Sequence, residues 1–335
     1  MKIKYLAFTA SASLLLYAVI FVFIVHKPLT VGVMQEYYAN KLSYLEDIDD
    51  SKIVLLAGSN GRFSHRCETM EPLLGMPCSN MSVSSDLSLD YQLDIIKPYL
   101  NAGDIVYLPL EFGALSGTKQ EVMAGAEQPY VVAYDHDYLK GMRLERLVYA
   151  LFYFDLKFLI SGLGEMLLDS MHVKRRFSLD TLTRQGDESG HTLEKGSPYR
   201  EVLANFEWSP PAPGNFAGDS FKAEVLGDFL DWAEERNIQV IGGLPTTFDD
   251  KPVPDELVAR LCAWYRQHGQ GFMVLENKSQ YPRSSFYDTP YHLVEEQQIR
   301  HSRLVAGRLG EITGRSPDTE SSRWLNDACA AGVTH

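Results

Sequence analysis

The chain has 335 residues, is 45% hydrophobic and carries a formal charge of −13. That composition excludes a disordered polymer, and the charge opposes binding to nucleic acid or any other polyanion. The one basic cluster, Lys174-Arg175-Arg176, is short and reads as a solvated helix end.

Residues Tyr5 to Val25 carry no charge and supply the ~20 apolar positions a helix needs to cross a bilayer. The small residues Ala10-Ser11-Ala12-Ser13 precede the most apolar part, Leu14 to Val25, which is the reverse of a cleavable signal peptide. An uncleaved signal anchor is expected over residues 1–27. Lys2 and Lys4 precede the span, so the N-terminus is expected in the cytoplasm and the rest of the chain outside it. In a bacterium this describes a single-pass inner-membrane protein with a periplasmic domain. Residues 28–51, which hold all but the last residue of "YYANKLSYLEDIDDSK", read as a polar helical stalk.

From residue 52 to 313 a strand and helix rhythm follows. "IVLLA" (Ile53 to Ala57) is a strand, "GSNG" a turn, and the stretch through Met70 and Leu74 a helix. "MPCSNMSVS" is a second strand breaking at Asn80, "LDYQLDIIKPYL" a helix, and "DIVYLPLEF" a third buried strand, Ile105 to Leu110. Residues 113–213 interrupt the rhythm. Their apolar stretch "LERLVYALFYFDLKFLISGLGEMLL" contains Asp155 and Lys157, which argue against a second span and leave a helical insertion, either packed on the sheet or lying against the bilayer. The loops "TRQGDESGHTLEKGSPYRE" and "WSPPAPGNFAGD" either border a substrate groove or are simply mobile. The rhythm resumes with a helix carrying Val225, Phe229 and Trp232 on one face, the strand "IQVIGGLP", a helix opened by Pro254 and Asp255, the strand "GFMVLE", and a final helix from about His292 to Ile312. Residues 314–335 are a polar tail. The expected fold class is α/β: a three-layer α/β/α domain with at least five parallel strands and one insertion.

Four cysteines, Cys67, Cys78, Cys262 and Cys329, would sit in an oxidising compartment. Cys67 with Cys78 is one natural pair, because a helix after Ser59 folds back toward the next strand. Three connectivities exist, and buried free thiols are the other reading. No spacing of Cys and His suggests a metal, and "SGLGEM" lacks the preceding strand of a phosphate loop, so neither a metal nor a cofactor is expected.

Open parallel sheets bind ligands at the carboxyl ends of their strands. Those ends carry Ser59, then Asn80 and Ser82, then Glu111, while "FYDTPYHLVEEQQIRHS" supplies Asp288 and His292 after the last strand. A serine becomes a nucleophile when a histidine takes its proton, and a carboxylate fixes that histidine's tautomer. Alone, Ser59 reads as a helix cap and Asp288 as a turn residue; together with His292 they have the types and placement of a triad. Asn60 and Glu111 would line the same site. His65 and Arg66 either border it or form a solvated helix face, Tyr291 either stacks on a sugar or packs in the core, and Arg300 has Glu296 within pairing distance on its helix.

The blocks "AGSNGRF", "GMPCSNMSVS" and "FYDTPYHLVEEQQIRHS" resemble those of the SGNH or GDSL-like hydrolases. The likeness is to the membrane-anchored branch that acts in teichoic-acid D-alanylation and in exopolysaccharide acetylation such as that of alginate. It spans Ile53 to Leu110 and Gln239 to Ile312. It implies a flavodoxin-like sheet, Ser59 as nucleophile, His292 as general base, Asp288 as its orienting acid, and an oxyanion hole that includes the Ser82 amide and the Asn80 side chain. The partners it implies are the membrane, a polysaccharide or glycolipid substrate, and a membrane-bound O-acyltransferase. Two departures stand out. Asp288 and His292 are separated by three residues where the family usually has two, a spacing its membrane-anchored branch shares. Glu111 stands near the place of an asparagine that donates to the oxyanion; a carboxylate only accepts, and losing such a donor costs ~2.7–4 kcal/mol. The resemblance implies an esterase or O-acyltransferase, with a non-catalytic glycan-binding or scaffold protein as the alternative.

Overall fold

The computed structural model describes residues 2–20, 29–116, 127–152, 160, 163–164, 167–168, 170–171, 179–216, 218 and 220–314. It opens with helices α1 (Lys2–Ile20) and α2 (Leu29–Glu46). The domain then begins: β1 (Ile53–Leu55), α3 (Ser59–Ser64), α4 (Cys67–Leu74), β2 (Cys78–Asn80), α5 (Leu89–Ile96) and β3 (Ile105–Leu108). After α6 (Glu127–Tyr134), α7 (His136–Gly141), α8 (Leu144–Phe152) and α9 (Arg200–Asn205), the order resumes with α10 (Phe221–Glu234), β4 (Gln239–Gly243), β5 (Thr247–Phe248) and α11 (Asp255–Gln267). It closes with β6 (Gly271–Met273), β7 (Gln280–Tyr281) and α12 (Glu295–Ile312).

Five strands form one sheet in the order β2-β1-β3-β4-β6, and every neighbouring pair is parallel. β5 and β7 make a separate two-stranded parallel pair. The fold class is therefore α/β with a parallel sheet flanked by helices. The central strands β1 and β3 are short continuous apolar runs because both faces are covered, whereas the edge strand β2 is Cys78-Ser79-Asn80. Ile53, Leu55, Ile105, Tyr107, Ile241 and Met273 point to one face and pack with Met70 and Leu74 of α4 and Val305, Leu309 and Ile312 of α12. Alternation sends Val54, Val106 and Val240 to the other face, and on α10 the buried stripe is Ala223, Leu226, Leu230 and Ala233 with Phe229. Val225 and Trp232 are only half-buried, so that stripe is centred on a different set of residues from the one the sequence suggested.

At the amino end of the sheet, Lys52 and Asp104 form a buried ion pair of 3.1 Å, with side chains 1% and 0% exposed. The Asp104 carboxylate also accepts the backbone N–H groups of Lys52 and Asn101. Buried charge is tolerated here because almost every lone pair is used.

The chain divides into two compact units, residues 1–36 with 120–178, and residues 37–119 with 179–335. In the first, α1 is apolar and long enough to cross a membrane, and none of its span is buried; Phe21 to Val25 of the expected span lie outside the described residues. Tyr130 donates to Gln35 at 2.7 Å within this unit. Leu144, Val148, Ile160, Leu163 and Leu167 are exposed. In the second unit, Tyr37, Tyr38, Lys41 and Leu45 of α2 are buried. The segment expected as a polar helical stalk is a helix, and its buried residues form one stripe with spacing near four. The buried Lys41 amine is held by the carbonyls of Asn80 and Gly186, and burial lowers its pKa to about 7. Residues 179–213 of the expected insertion cluster with the second unit.

Candidate functional site

In a sheet of this order the direction of chain progression reverses beside β1, so the crevice at the carboxyl ends of β1 and β3 is the place for a ligand. β1 leads through Ala57 and Gly58 to Ser59, the first residue of α3, and β3 leads through Pro109 and Leu110 to Glu111. Two glycines allow the tight elbow. A Cβ on Gly58 would lie 2.8 Å from Ser85 Cβ and 2.9 Å from Glu111 Oε1, and one on Gly61 would collide with the Ser82 hydroxyl.

Ser59 meets a histidine brought from the far end of the chain. Its Oγ lies 2.9 Å from His292 Nε2, and His292 Nδ1 lies 2.7 Å from Asp288 Oδ1. The carboxylate accepts from Nδ1–H, which leaves Nε2 to accept the serine hydroxyl hydrogen. The histidine and aspartate side chains are 11% and 4% exposed, so water screens the pair little. The His292 ring stacks on Phe63 at 4.2 Å between centroids and 15° between planes, which fixes its orientation.

The loop that carries Asp288 and His292 is pinned from both ends. Tyr287 N–H donates to the His292 carbonyl at 2.7 Å, and an antiparallel bridge joins Phe286 to Leu293. The Tyr291 carbonyl accepts from Ser64 Oγ at 2.7 Å and from Thr246 Oγ1 at 2.8 Å, and Ser64 Oγ accepts the Leu293 N–H. His292 precedes α12, which begins at Glu295. Gln298 on its first turn donates to the carbonyls of Arg62, His65 and Glu188, tying that helix to the serine elbow.

No protein-family model matches the chain, and no curated protein matches it either. What the chain can do is carried by the site's own geometry.

The other expected site residues lie in different surroundings. Asn80 is fully buried; its amide donates to the Gly61 carbonyl at 3.0 Å and to Asp187 Oδ1 at 2.9 Å, and its carbonyl accepts the Ser82 N–H at 3.2 Å. Ser82 Oγ accepts the Ala57 N–H at 3.0 Å. The polar groups expected to receive an oxyanion are therefore engaged beneath the elbow, and Ser85, three residues later, is the one that closes over Gly58. Asn60 is buried, and its amide holds the Pro109 carbonyl at 2.8 Å, which locks the elbow to the end of β3. His65 is fully buried with Nε2 3.2 Å from His301 Nε2, so it neither borders the site nor faces solvent. Arg66 pairs with Glu295 and Glu68, and Arg300 with Glu296. The Tyr291 side chain is half-buried.

Glu111 does converge on the site. Burial raises its pKa, against the opposing pull of His292 and of the Asn60 N–H it accepts; Asp86 adds to the rise. Two residues from the loop expected either to border a groove or to be mobile also contribute. Asp187 accepts the N–H groups of Cys67 and Glu68 together with the Asn80 amide, joining α4 to the end of β2. His191 is buried beside the Phe63 ring, and burial lowers its pKa to about 4. The only sequence signal for either was polarity in a loop with glycines on both sides. A disulfide joins Cys67 of α4 to Cys78 of β2, with Cα atoms 5.1 Å apart; Cys329 lies outside the described residues. Among the described residues, no three His, Cys, Asp or Glu side chains gather as a metal site requires.

Proposed function

We propose that the chain is an extracytoplasmic serine esterase or O-acyltransferase that acts on acyl esters of a cell-envelope or exported polysaccharide. The observation that carries this reading is the continuous hydrogen-bonded chain Ser59, His292 and Asp288 at the carboxyl edge of a parallel sheet. Ser59 Oγ attacks the ester carbonyl carbon while its proton passes to His292 Nε2, and the carbonyl π pair moves onto oxygen. Collapse of that intermediate breaks the bond to the leaving alkoxide, which takes the proton from His292. The acyl-Ser59 is then attacked by water, giving an acid, or by a sugar hydroxyl, giving a new ester; His292 again takes the nucleophile's proton and returns it to Ser59.

The apolar N-terminal helix, with Lys2 and Lys4 in its first turn, supports a single-pass anchor with the domain outside the cytoplasm. The Cys67 and Cys78 disulfide supports an oxidising compartment. The polysaccharide or glycolipid substrate, and a membrane-bound O-acyltransferase as partner, follow from the sequence resemblance. A second reading, a non-catalytic glycan-binding or scaffold protein of the same fold, is favoured by one observation: the Asn80 and Ser82 donors are already engaged. Labelling with a fluorophosphonate separates the two. The enzyme is labelled at Ser59 and hydrolyses p-nitrophenyl acetate, and Ser59→Ala abolishes both; unchanged hydrolysis by Ser59→Ala refutes the catalytic reading.

A further inference from the structure

Glu111 poses a chemical contradiction, because negative charge develops on the acyl oxygen beside Ser59 and a carboxylate there repels it. Its surroundings remove the contradiction. The side chain lies against the backbone on both sides of the nucleophile: Oε1 is 2.9 Å from the point that a Cβ on Gly58 would occupy, and the carboxyl accepts the N–H of Asn60. Three elements pack around it. The loop after β2 contributes Ser85 and the carboxylate of Asp86, which opposes ionisation of Glu111. The loop before α12 contributes His292, whose positive form favours ionisation, and Tyr291, whose phenol Glu111 makes harder to ionise. The elbow contributes the Asn60 N–H. Removal from water is the largest influence and favours the neutral acid. In the resting state His292 must be uncharged to act as a base, so its favourable pull on a carboxylate is then absent.

We propose that Glu111 works as a carboxylic acid and donates a hydrogen bond to the oxyanion formed when Ser59 attacks an acyl ester. This rests on the Ser59 reading above. A carboxyl group kept neutral by an apolar site is a competent oxyanion donor, and it supplies the contact that the engaged Asn80 and Ser82 groups do not. The proton remains on Glu111 throughout, while the proton of Ser59 travels to His292. Activity then needs a deprotonated His292 and a protonated Glu111, so the pH profile is bounded on its alkaline side by ionisation of Glu111.

The test uses the full-length protein in detergent, with p-nitrophenyl acetate hydrolysis followed from pH 4 to pH 9 and fluorophosphonate labelling in parallel. Glu111→Gln keeps a donor that does not titrate. It should retain at least about a tenth of the parent's optimum and lose the alkaline fall. Glu111→Ala should lose roughly 10²–10³-fold in kcat, as removal of an oxyanion donor does. An acid whose folded pKa is raised loses stability as pH rises above its unfolded value, so Glu111→Gln should melt no lower than the parent near neutral pH. Melting therefore separates loss of fold from loss of the donor, and if the alanine variant does not fold, the glutamine profile alone decides. A glutamine variant that retains the alkaline fall, or that drops as far as alanine while folded, overturns the role of Glu111. Hydrolysis that survives Ser59→Ala overturns instead the reading beneath it.

Discussion

Replacing Asp288 with Asn changes one atom in shape and reverses the logic of the site. His292 Nδ1 and Asp288 Oδ1 are 2.7 Å apart, and the side chains are 11% and 4% exposed, so the contact is short and little screened. An amide NH2 turned toward Nδ1 makes that nitrogen an acceptor and moves the ring hydrogen to Nε2. There it faces Ser59 Oγ, 2.9 Å away, as a donor, and the serine has lost its base. A wrong tautomer in a triad of this kind lowers kcat by about 10⁴-fold, or about 5 kcal/mol of transition-state stabilisation. Steady-state hydrolysis of p-nitrophenyl acetate by Asp288→Asn measures it, with the melting temperature as control for folding. KM should change little, because the contact is made with the histidine and not with the substrate. A folded Asp288→Asn protein within tenfold of the parent would refute the reasoning.

The molecule should lose stability in acid before its carboxylates titrate. Burial holds His191 at about 4 and His301 at about 3, against an ordinary histidine value of 6.5. The unfolded chain therefore takes up protons first as pH falls below about 6.5, and by pH 5 each group costs about 2 kcal/mol; urea midpoints at pH 7 and pH 5 read it, and His191→Phe should flatten part of the slope. Asp104→Ala leaves the Lys52 ammonium buried without its partner and should cost about 3–5 kcal/mol in urea unfolding. Lys52→Met should cost less, since Asp104 keeps two backbone donors. Replacing Cys67 and Cys78 with Ser together releases a loop with a sequence separation of 11, worth about 3 kcal/mol in chain entropy.

The strands were legible because a strand covered on both faces has to be a continuous apolar run, and "IVLLA" and "DIVYLPL" are such runs bounded by turn residues. The pairing of Ser59 with His292 and Asp288 was legible as residue types at strand ends. The oxyanion residues were less so: Asn80 and Ser82 occupy the expected position in sequence, but their hydrogen bonds go to Gly61, Asp187 and Ala57. Asp187 comes from a loop more than a hundred residues away, and nothing local to "CSNMS" announces it. The stalk was legible as a helix, but its buried stripe was not, for a related reason. A helix with Tyr37, Tyr38, Lys41 and Leu45 on one stripe looks polar when its lysine is counted as solvated, whereas the carbonyls of Asn80 and Gly186 hold that amine in the interior.

By itself the sequence determined the apolar N-terminal helix, the α/β class and the three residue types of the hydrogen-bonded chain, because each follows from local pattern. Tertiary structure alone decided which polar groups are engaged and with what. The order β2-β1-β3 sets Glu111 beside Ser59, the Asp187 loop engages Asn80, and burial moves Glu111 toward its neutral form. Hydrogen-bond availability and protonation depend on what surrounds a group in three dimensions, and a one-dimensional string of residues does not carry that.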